Sequence, residues 1–463
     1  MTLIKSISGI RGTIGKEKGN NLTPEDIVKF TSAYAIWTKQ QSGNGSVKVV
    51  VGRDARPSGD MVYRMVSGTL IAMGIDVVNL DLATTPTVEM AVVAEDAQGG
   101  IILTASHNPV QWNALKLLND RGEFLNKEEG EEILRIAAQQ DIEYAPVDQL
   151  GKENRKEEYL DYHIWKILKL PQVNVEGISS AGFRVVVDGI NSVGGIAVPR
   201  LLRRLGVEDV IEVNCKPDGH FAHNPEPIPE NLTGMREEIR KNNADLGFVV
   251  DPDVDRLAIV DENGSMFGEE YTLVAVADYI LQQKPGNAVS NLSSTKALRE
   301  LTEEYGGSYY PSAVGEVNVV EKMKDVHAII GGEGNGGVIL PDLHYGRDAL
   351  VGIALFLTHL ARSGVSCSAL RKRYPFYHIT KNKIQLTPDI DVDNILSRLK
   401  KQYADYPVND VDGVRIEFRE GWVHLRKSNT EPIIRVYSEG KDKETAEELA
   451  SGIFNAVDKI LQK

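Results

Sequence analysis

Gly99-Gly100-Ile101-Ile102-Leu103-Thr104-Ala105-Ser106-His107-Asn108-Pro109 is an apolar run that stops at small and polar residues. Its first five residues read as a short buried strand. Thr104 to Asn108 break that strand, and Pro109 sets φ for a turn or a helix start. Ser106 therefore falls where a strand hands over to a loop, a frequent place for reactive groups in α/β proteins. A serine hydroxyl is a weak nucleophile unless a base or an activated electrophile assists it. His107 is adjacent, but neighbouring side chains on an extended backbone point apart. A plain polar turn is the competing reading of the hexapeptide alone.

The same grammar recurs on both sides. Ile27, Phe30, Ala33, Tyr34 and Trp37 have helical spacing within residues 24–39. Residues 47–51 read as a buried strand that ends in Gly52-Arg53-Asp54-Ala55-Arg56-Pro57-Ser58-Gly59, with a helix from about 61 to 73. Residues 75–80 are a further strand, and Thr84-Thr85-Pro86-Thr87 opens a further helix. Strand, glycine-rich loop and helix in succession predict a doubly wound sheet. Arg184-Val185-Val186-Val187-Asp188-Gly189 has the build of Lys48-Val49-Val50-Val51-Gly52-Arg53, and residues 287–294 are a fainter third copy. Residues 127–158 are rich in Glu, Lys and Gln and read as a solvated helix and connector. Residues 327–330 are strand-like. Beyond Arg371-Lys372-Arg373-Tyr374-Pro375 the strand-like stretches 383–386, 414–418, 423–425 and 433–437 precede one amphipathic helix, 443–461. That end of the chain reads as a small α+β domain.

With 463 residues the chain is long enough for about three or four domains. A net charge of −14 argues against nucleic acid or anionic membrane as a general partner. It also requires that any phosphorylated ligand be held by local basic groups. No apolar run approaches the ~20 residues of a membrane span. The first residues lack a signal-peptide core. Cys215 and Cys367 are too few for a disulfide framework and fit a reducing cytoplasm.

Further stretches carry chemistry. Ser8-Gly9-Ile10-Arg11-Gly12-Thr13 is a glycine-punctuated loop that lets the backbone approach a ligand. Asp251-Pro252-Asp253-Val254-Asp255-Arg256 sets three carboxylates at i, i+2 and i+4 after the strand-like Leu246 to Val250. Carboxylates so close repel unless a cation or hydrogen bonds offset them, and hard oxygen donors favour Mg²⁺ or Ca²⁺. An EF-hand is excluded, because Arg256 stands where that loop needs glycine. Gly331-Gly332-Glu333-Gly334-Asn335-Gly336-Gly337 specifies an unusual backbone with Glu333 as its only charge. Arg426-Lys427-Ser428-Asn429-Thr430-Glu431-Pro432-Ile433-Ile434-Arg435 supplies cations, hydroxyls, an amide and backbone N–H groups suited to a phosphate.

Together these stretches resemble, in order, the motifs of the α-D-phosphohexomutases, the phosphoglucomutase/phosphomannomutase superfamily. Thr-Ala-Ser-His-Asn-Pro is similar to that family's active-site serine loop, and the likeness runs from residue 8 to residue 435. It implies an α/β fold of three similar α/β domains with mixed sheets plus a C-terminal α+β domain, around a central active-site cleft. The corresponding division is 1–150, 151–256, 257–372 and 373–463. The implied roles are Ser106 as phosphoryl carrier, and Mg²⁺ held by Asp251, Asp253 and Asp255 with one phosphoserine oxygen. Arg11, Lys116 and Arg256 would stabilise phosphoryl oxygens, with Lys116 and His107 as acid/base candidates. Glu333 and Asn335 would hold the sugar; Arg426, Ser428, Asn429, Thr430 and Arg435 would hold the phosphate that does not react. The segment Trp112-Asn113-Ala114-Leu115-Lys116 departs from the family's usual glycine at Ala114.

Asn335-Gly336-Gly337, with residues 313–318 and 345–348, looks like the archaeal-type phosphoglucosamine mutase branch, which carries Asn-Gly-Gly where phosphomannomutase/phosphoglucomutases carry Ser-Gly-His. The expected activity is interconversion of glucosamine 6-phosphate and glucosamine 1-phosphate through a hexose 1,6-bisphosphate. A phosphomannomutase/phosphoglucomutase is the alternative on the same fold. A phosphohydrolase would not need the distant phosphate loop, and a non-catalytic sugar-phosphate sensor would not need Ser106 with three aspartates. Oligomeric state is left open.

Overall fold

The computed structural model describes residues 2–6, 9–43, 45–139, 142–386, 391–428 and 433–461. Two compact units result: Met1–Tyr279 with Asn335–Leu370, and Ile280–Gly334 with Arg371–Lys463. No described helix is long and apolar enough to cross a membrane.

In the first unit a seven-stranded sheet has the order Ile4–Ser6, Gly9–Thr13, Trp112–Leu118, Gly99–Leu103, Lys48–Arg53, Asp76–Leu82, Glu153–Arg155. Gly99–Leu103, Lys48–Arg53 and Asp76–Leu82 run parallel, and Trp112–Leu118 pairs antiparallel with Gly99–Leu103. Val49, Val50, Val51, Ile101, Ile102 and Leu103 are fully buried, so this centre is covered on both faces as a parallel sheet requires. Gly99 is needed by its neighbour: a Cβ there would stand 2.0 Å from the Tyr34 hydroxyl, which donates to Leu118 O at 2.7 Å. Tyr34 lies on the helix Pro24–Ser42, started by a capping box between Thr23 and Asp26 with proline in the first turn.

A second sheet in this unit has the order Leu257–Asp261, Leu246–Val250, Arg184–Asp188, Asp209–Val213. Its three inner ladders repeat those of the first sheet: two parallel pairings and one antiparallel edge. In the second unit Ala288–Asn291 pairs in parallel with both Tyr309–Ser312 and Ile330–Glu333, the same order once more. The similarity read from three apolar strands is thus a similarity of topology. The second unit also holds a five-stranded antiparallel sheet, His378–Gln385, Ile433–Gly440, Gly421–Lys427, Val414–Glu417, Val408–Asn409, covered by Lys443–Leu461.

Several local expectations change. Residues 9–13 are a strand and not a loop, because Ile10 is buried and pairs with Leu115; Ser8 lies outside the described residues. Of the turn or helix start left open at Pro109, the structure has the turn, which leads into the strand Trp112–Leu118. The connector contains Glu153–Arg155, an exposed edge strand whose three polar residues give no apolar alternation to read. The strand expected at 327–330 is Ile330–Glu333, since His327 takes φ +51° in the turn after Glu316–Asp325. The glycine-rich stretch is therefore the end of one strand, a turn at 334–336 and the start of the next strand, Gly337–Ile339. The C-terminal domain has a second helix, Val392–Gln402, whose buried Val392, Ile395 and Leu399 are a narrow stripe among charges.

Candidate functional site

The serine loop is built by a side chain that the sequence reading passed over. Arg56 is fully buried, and its guanidinium donates to Asn108 O and Pro109 O at 2.8 Å, to Trp112 O at 3.0 Å and to Ser106 O. Its Nε donates to Asp54 Oδ2 at 2.8 Å, and Thr104 Oγ1 donates to the same oxygen at 2.7 Å. Thr104 Oγ1 in turn accepts the Ser106 N–H at 2.9 Å. One planar fork thus holds the carbonyls of the turn. Ser106 is fixed at φ +48°, a left-handed conformation that is costly for any residue but glycine. That conformation also overturns the expectation that Ser106 and His107 diverge: Ser106 Oγ and His107 Nδ1 are 3.4 Å apart.

Arg56→Lys keeps a cation beside Asp54 but cannot reach four carbonyls. We expect a loss of about 2–3 kcal/mol in urea unfolding, from buried acceptors left without donors. A midpoint equal to wild type would show that the fork contributes nothing.

Across from the serine, Asp251, Asp253 and Asp255 converge. All three are fully buried, and one oxygen from each lies within 4.8 Å of the others. The chain bends into this arrangement through Val254, a β-branched residue at φ +64°. Ser106 Oγ donates to Asp251 Oδ2 at 2.7 Å. Asp251 Oδ1 accepts the N–H groups of Asp255 and Arg256, each at 3.2 Å. Asp253 Oδ2 accepts from Lys116 Nζ and Thr85 Oγ1 at 2.7 Å. Asp255 Oδ2 accepts from Arg347 Nη2 at 2.6 Å. The remaining oxygens, Asp253 Oδ1 and Asp255 Oδ1, are buried with no hydrogen-bond partner among the described residues. Two anionic oxygens left open beside a third carboxylate fit a hard divalent cation such as Mg²⁺.

The electrostatics agree. Burial, then Asp255 and Asp253, push the Asp251 carboxyl well above its ordinary range. Burial would raise Asp253 as well, but the Lys116 ammonium overrules it and holds Asp253 low. Lys116 is correspondingly raised by Asp253 and Asp255 against its own burial, so it stays an ammonium. His107 is pushed well below 6.5 by Arg256, by burial and by Arg11, which leaves a neutral imidazole at neutral pH. Arg11 Nη1 donates to Asn108 Oδ1 at 3.2 Å, and Arg11 pairs across its ladder with the small, buried Ala114. Arg256 Nε stands 3.8 Å from Asp255 Oδ1. Thus Ser106, His107, Lys116, Arg11, Arg256 and the three aspartates form one cluster. Thr85, Arg347, Asp54 and Arg56 join it unforeseen. The only local signal for Arg56 was Arg-Asp-Ala-Arg directly after a buried strand.

The expected sugar and phosphate residues lie elsewhere in the chain. Asn335, in the first unit, accepts the Gly337 N–H at 3.2 Å. In the second unit, buried Glu333 accepts from Asn291 Nδ2 at 2.8 Å and from Gly315 N at 3.1 Å through Oε1. In the same unit Arg426 and Arg435 are directly opposite across an antiparallel ladder, and Lys383 is opposite Arg435 on the other side. Cations at one register on neighbouring strands destabilise a sheet unless an anion sits among them. Arg426 Nε is buried without a hydrogen-bond partner among the described residues. Ser428 N donates to Ile433 O at 3.0 Å, which closes the base of the loop. Asn429 and Thr430 lie outside the described residues.

The chain matches the descriptions "Phosphoglucomutase/phosphomannomutase, alpha/beta/alpha domain I" over residues 3–143, domain II over 157–264, domain III over 268–377, and the C-terminal domain over 386–456. It is 36% identical over 444 residues to a phosphoglucomutase/phosphomannomutase of Thermococcus kodakarensis, covering 95% of each chain. It is 32% identical over 464 residues to a phosphoglucosamine/phosphogalactosamine mutase of Sulfurisphaera tokodaii, covering 98% of each. A crystal structure of a phosphoglucomutase/phosphomannomutase family protein from Burkholderia thailandensis superposes with a TM-score of 0.86 at 25% identity, covering 99% of this chain and 98% of that one. The chain belongs to the phosphoglucomutase/phosphomannomutase family and has its four-domain fold. It is an enzyme of the phosphohexomutase class.

Proposed function

We propose that this enzyme interconverts glucosamine 6-phosphate and glucosamine 1-phosphate, with Ser106 as the phosphoryl carrier. The observation that carries the chemistry is the Ser106 hydroxyl 2.7 Å from a fully buried carboxylate triad with two open oxygens. We assign Mg²⁺ to Asp251, Asp253 and Asp255, with Ser106 as the fourth contributor once phosphorylated. When bound, Mg²⁺ neutralises charge on the transferring phosphoryl group.

In the first half-reaction the phosphoryl group leaves Ser106 Oγ and bonds to the sugar's free hydroxyl oxygen. That hydroxyl loses its proton, which neutral His107 is suited to accept and to pass to the Ser106 Oγ set free, so that the serine leaves as a hydroxyl. Lys116, Arg11 and Arg256 hold positive charge for the equatorial oxygens. The product is a 1,6-bisphosphate. In the second half-reaction its other phosphate returns to Ser106 Oγ and the proton goes back to the released sugar oxygen. Protons and phosphoryl groups balance over the cycle. Glu333 and Asn335 are assigned to the sugar. Arg426, Ser428, Asn429, Thr430 and Arg435 are assigned to the non-reacting phosphate, in keeping with the register of Arg426 and Arg435. We divide the chain into a phosphoserine domain (1–150), a metal domain (151–256), a sugar domain (257–372) and a phosphate domain (373–463), working in a reducing cytoplasm.

Selectivity for the amino sugar rests on Asn335-Gly336-Gly337 and on a carboxylate, Glu333, able to pair with a cationic 2-amino group. The test is kcat/KM for glucosamine, glucose and mannose 1-phosphates under one condition. Glucosamine 1-phosphate should lead by about tenfold, or 1.4 kcal/mol in the transition state. If mannose or glucose 1-phosphate leads by that margin, the enzyme is a phosphomannomutase/phosphoglucomutase with the same chemistry.

A further inference from the structure

A second cluster of ligating groups lies in the first unit and has no part in the chemistry above. His163, on the helix Tyr159–Leu168, His344 and Asp348 each present one ligating atom, and these atoms lie within 4.8 Å of one another. His163 and Asp348 are fully buried; His344 is nearly so. The two histidines point the same nitrogen at the same oxygen. His163 Nε2 is 2.9 Å from Asp348 Oδ2, and His344 Nε2 is 3.4 Å from it.

Both other ring nitrogens face an outer polar group, that of His163 in a hydrogen bond and that of His344 at ion-pair distance. His163 Nδ1 is 2.9 Å from Thr87 Oγ1, and His344 Nδ1 is 3.3 Å from Glu89 Oε2. Glu89 can come this close because residue 346 is glycine; a Cβ there would stand 1.9 Å from Glu89 Oε2. Asp348 Oδ1 is used up by the backbone, accepting from Leu350 N and Val351 N at the start of Ala349–Ser363. Each ligand therefore has one atom turned inward and the other atom fixed by an outer partner. Imidazoles oriented by a hydroxyl and a carboxylate, with a carboxylate beside them, are the arrangement that metal-ligating histidines adopt.

We propose that Nε2 of His163, Nε2 of His344 and Oδ2 of Asp348 bind a structural transition-metal ion of the Zn²⁺ class, distinct from the hard-cation triad. Two imidazoles and one carboxylate select a borderline ion over Mg²⁺ or Ca²⁺. Ligand atoms at about 2.0–2.1 Å from a tetrahedral centre are about 3.3 Å apart; the two histidine–Asp348 separations of 2.9 and 3.4 Å are within a few tenths of an ångström of that, and the two histidine nitrogens lie within 4.8 Å of each other. The fourth position falls to water, and the slight exposure of His344 gives the ion a way in.

The ion ties together segments that carry the serine site. The helix Thr85–Ala94 holds Thr85 against Asp253, and Glu89 and Thr87 lie on it. Arg347, bonded to Asp255, directly precedes Asp348. Without the ion, a proton takes its place: burial alone would lower His344, but Asp348 and Glu89 raise it to about 10.

The test uses the full-length enzyme. Protein stripped with chelator is dialysed against limiting Zn²⁺ in excess Mg²⁺, and bound zinc is measured by mass spectrometry of the metal. Wild type and Asp253→Asn should each retain one zinc per chain and melt higher than the stripped form. His344→Gln and His163→Gln should retain none. Co²⁺ in place of Zn²⁺ should give the strong visible absorption of a four-coordinate site in wild type. Retention of zinc by both histidine variants, or its loss from Asp253→Asn alone, would place the ion at the triad and overturn the proposal. Wild type that takes up no zinc and shows no Co²⁺ band overturns it without any variant, and leaves the cluster as a proton-filled network.

Discussion

Ser106→Ala should lose turnover by about 10⁴-fold or more, because it removes the only atom we assign to carry the phosphoryl group between half-reactions. No neighbour can substitute. His107 lies at the same loop but is directed by Arg256 and Arg11 toward a neutral, proton-accepting role. The variant should fold normally. The hydroxyl is lost from two hydrogen bonds, to Asp251 Oδ2 and to His107 Nδ1, and neither holds the loop's backbone. The backbone is held by Arg56 through carbonyls that alanine retains. Intact mass supplies an activity-independent check. Wild type incubated with hexose 1,6-bisphosphate should gain one phosphoryl mass, and Ser106→Ala should gain none. Full turnover by the variant, with bisphosphate supplied, would remove Ser106 from the mechanism.

Asp253→Asn should cut turnover by about 10³-fold and weaken Mg²⁺ binding by at least about tenfold, since one anionic donor of three is neutralised. Asparagine keeps the volume and still accepts from Thr85, so the loss falls on charge. It also leaves Lys116 with one carboxylate partner, Asp255, at 3.7 Å, so some stability is lost too. Calorimetric titration of Mg²⁺ into wild type and variant separates binding from rate. In wild type the metal competes with the proton for Asp251, whose carboxyl is raised well above its ordinary range by burial and by Asp255 and Asp253. Apparent affinity therefore rises with pH. Excess chelator should stop wild-type turnover and Mg²⁺ should restore it; undiminished activity in chelator would refute the metal assignment.

The fold was legible where burial writes itself into composition. Lys48–Arg53, Gly99–Leu103, Arg184–Asp188 and Leu246–Val250 are apolar runs, and each is a central strand. The edge strand Glu153–Arg155 and the helix Val392–Gln402 were missed because their solvent faces dominate their composition. The candidate site shows the same division. Three aspartates within five residues, and a serine after a buried strand, announce themselves locally. Arg56, Thr85 and Arg347 reach the site through hydrogen bonds to residues 50 or more positions away, and no spacing rule reports such a bond. The register of Lys383, Arg435 and Arg426 is likewise a property of the folded sheet.

The fork of Arg56 has a consequence for how often the catalytic loop is out of place. A loop that closes only on itself can fray independently, with an opening free energy near zero. Here the carbonyls at 106, 108, 109 and 112 are fastened to a side chain rooted just beyond the buried strand Lys48–Arg53. The loop can let go only if the buried Arg56 guanidinium gives up four carbonyl acceptors and Asp54 gives up the Thr104 hydroxyl. Amide exchange at Ser106, Asn108 and Trp112, whose N–H groups are all bonded within the loop, should thus be slow and should follow that of the strand. The nucleophile is held by the same cooperative unit as the core, and its misplacement is as rare as the unfolding of the sheet.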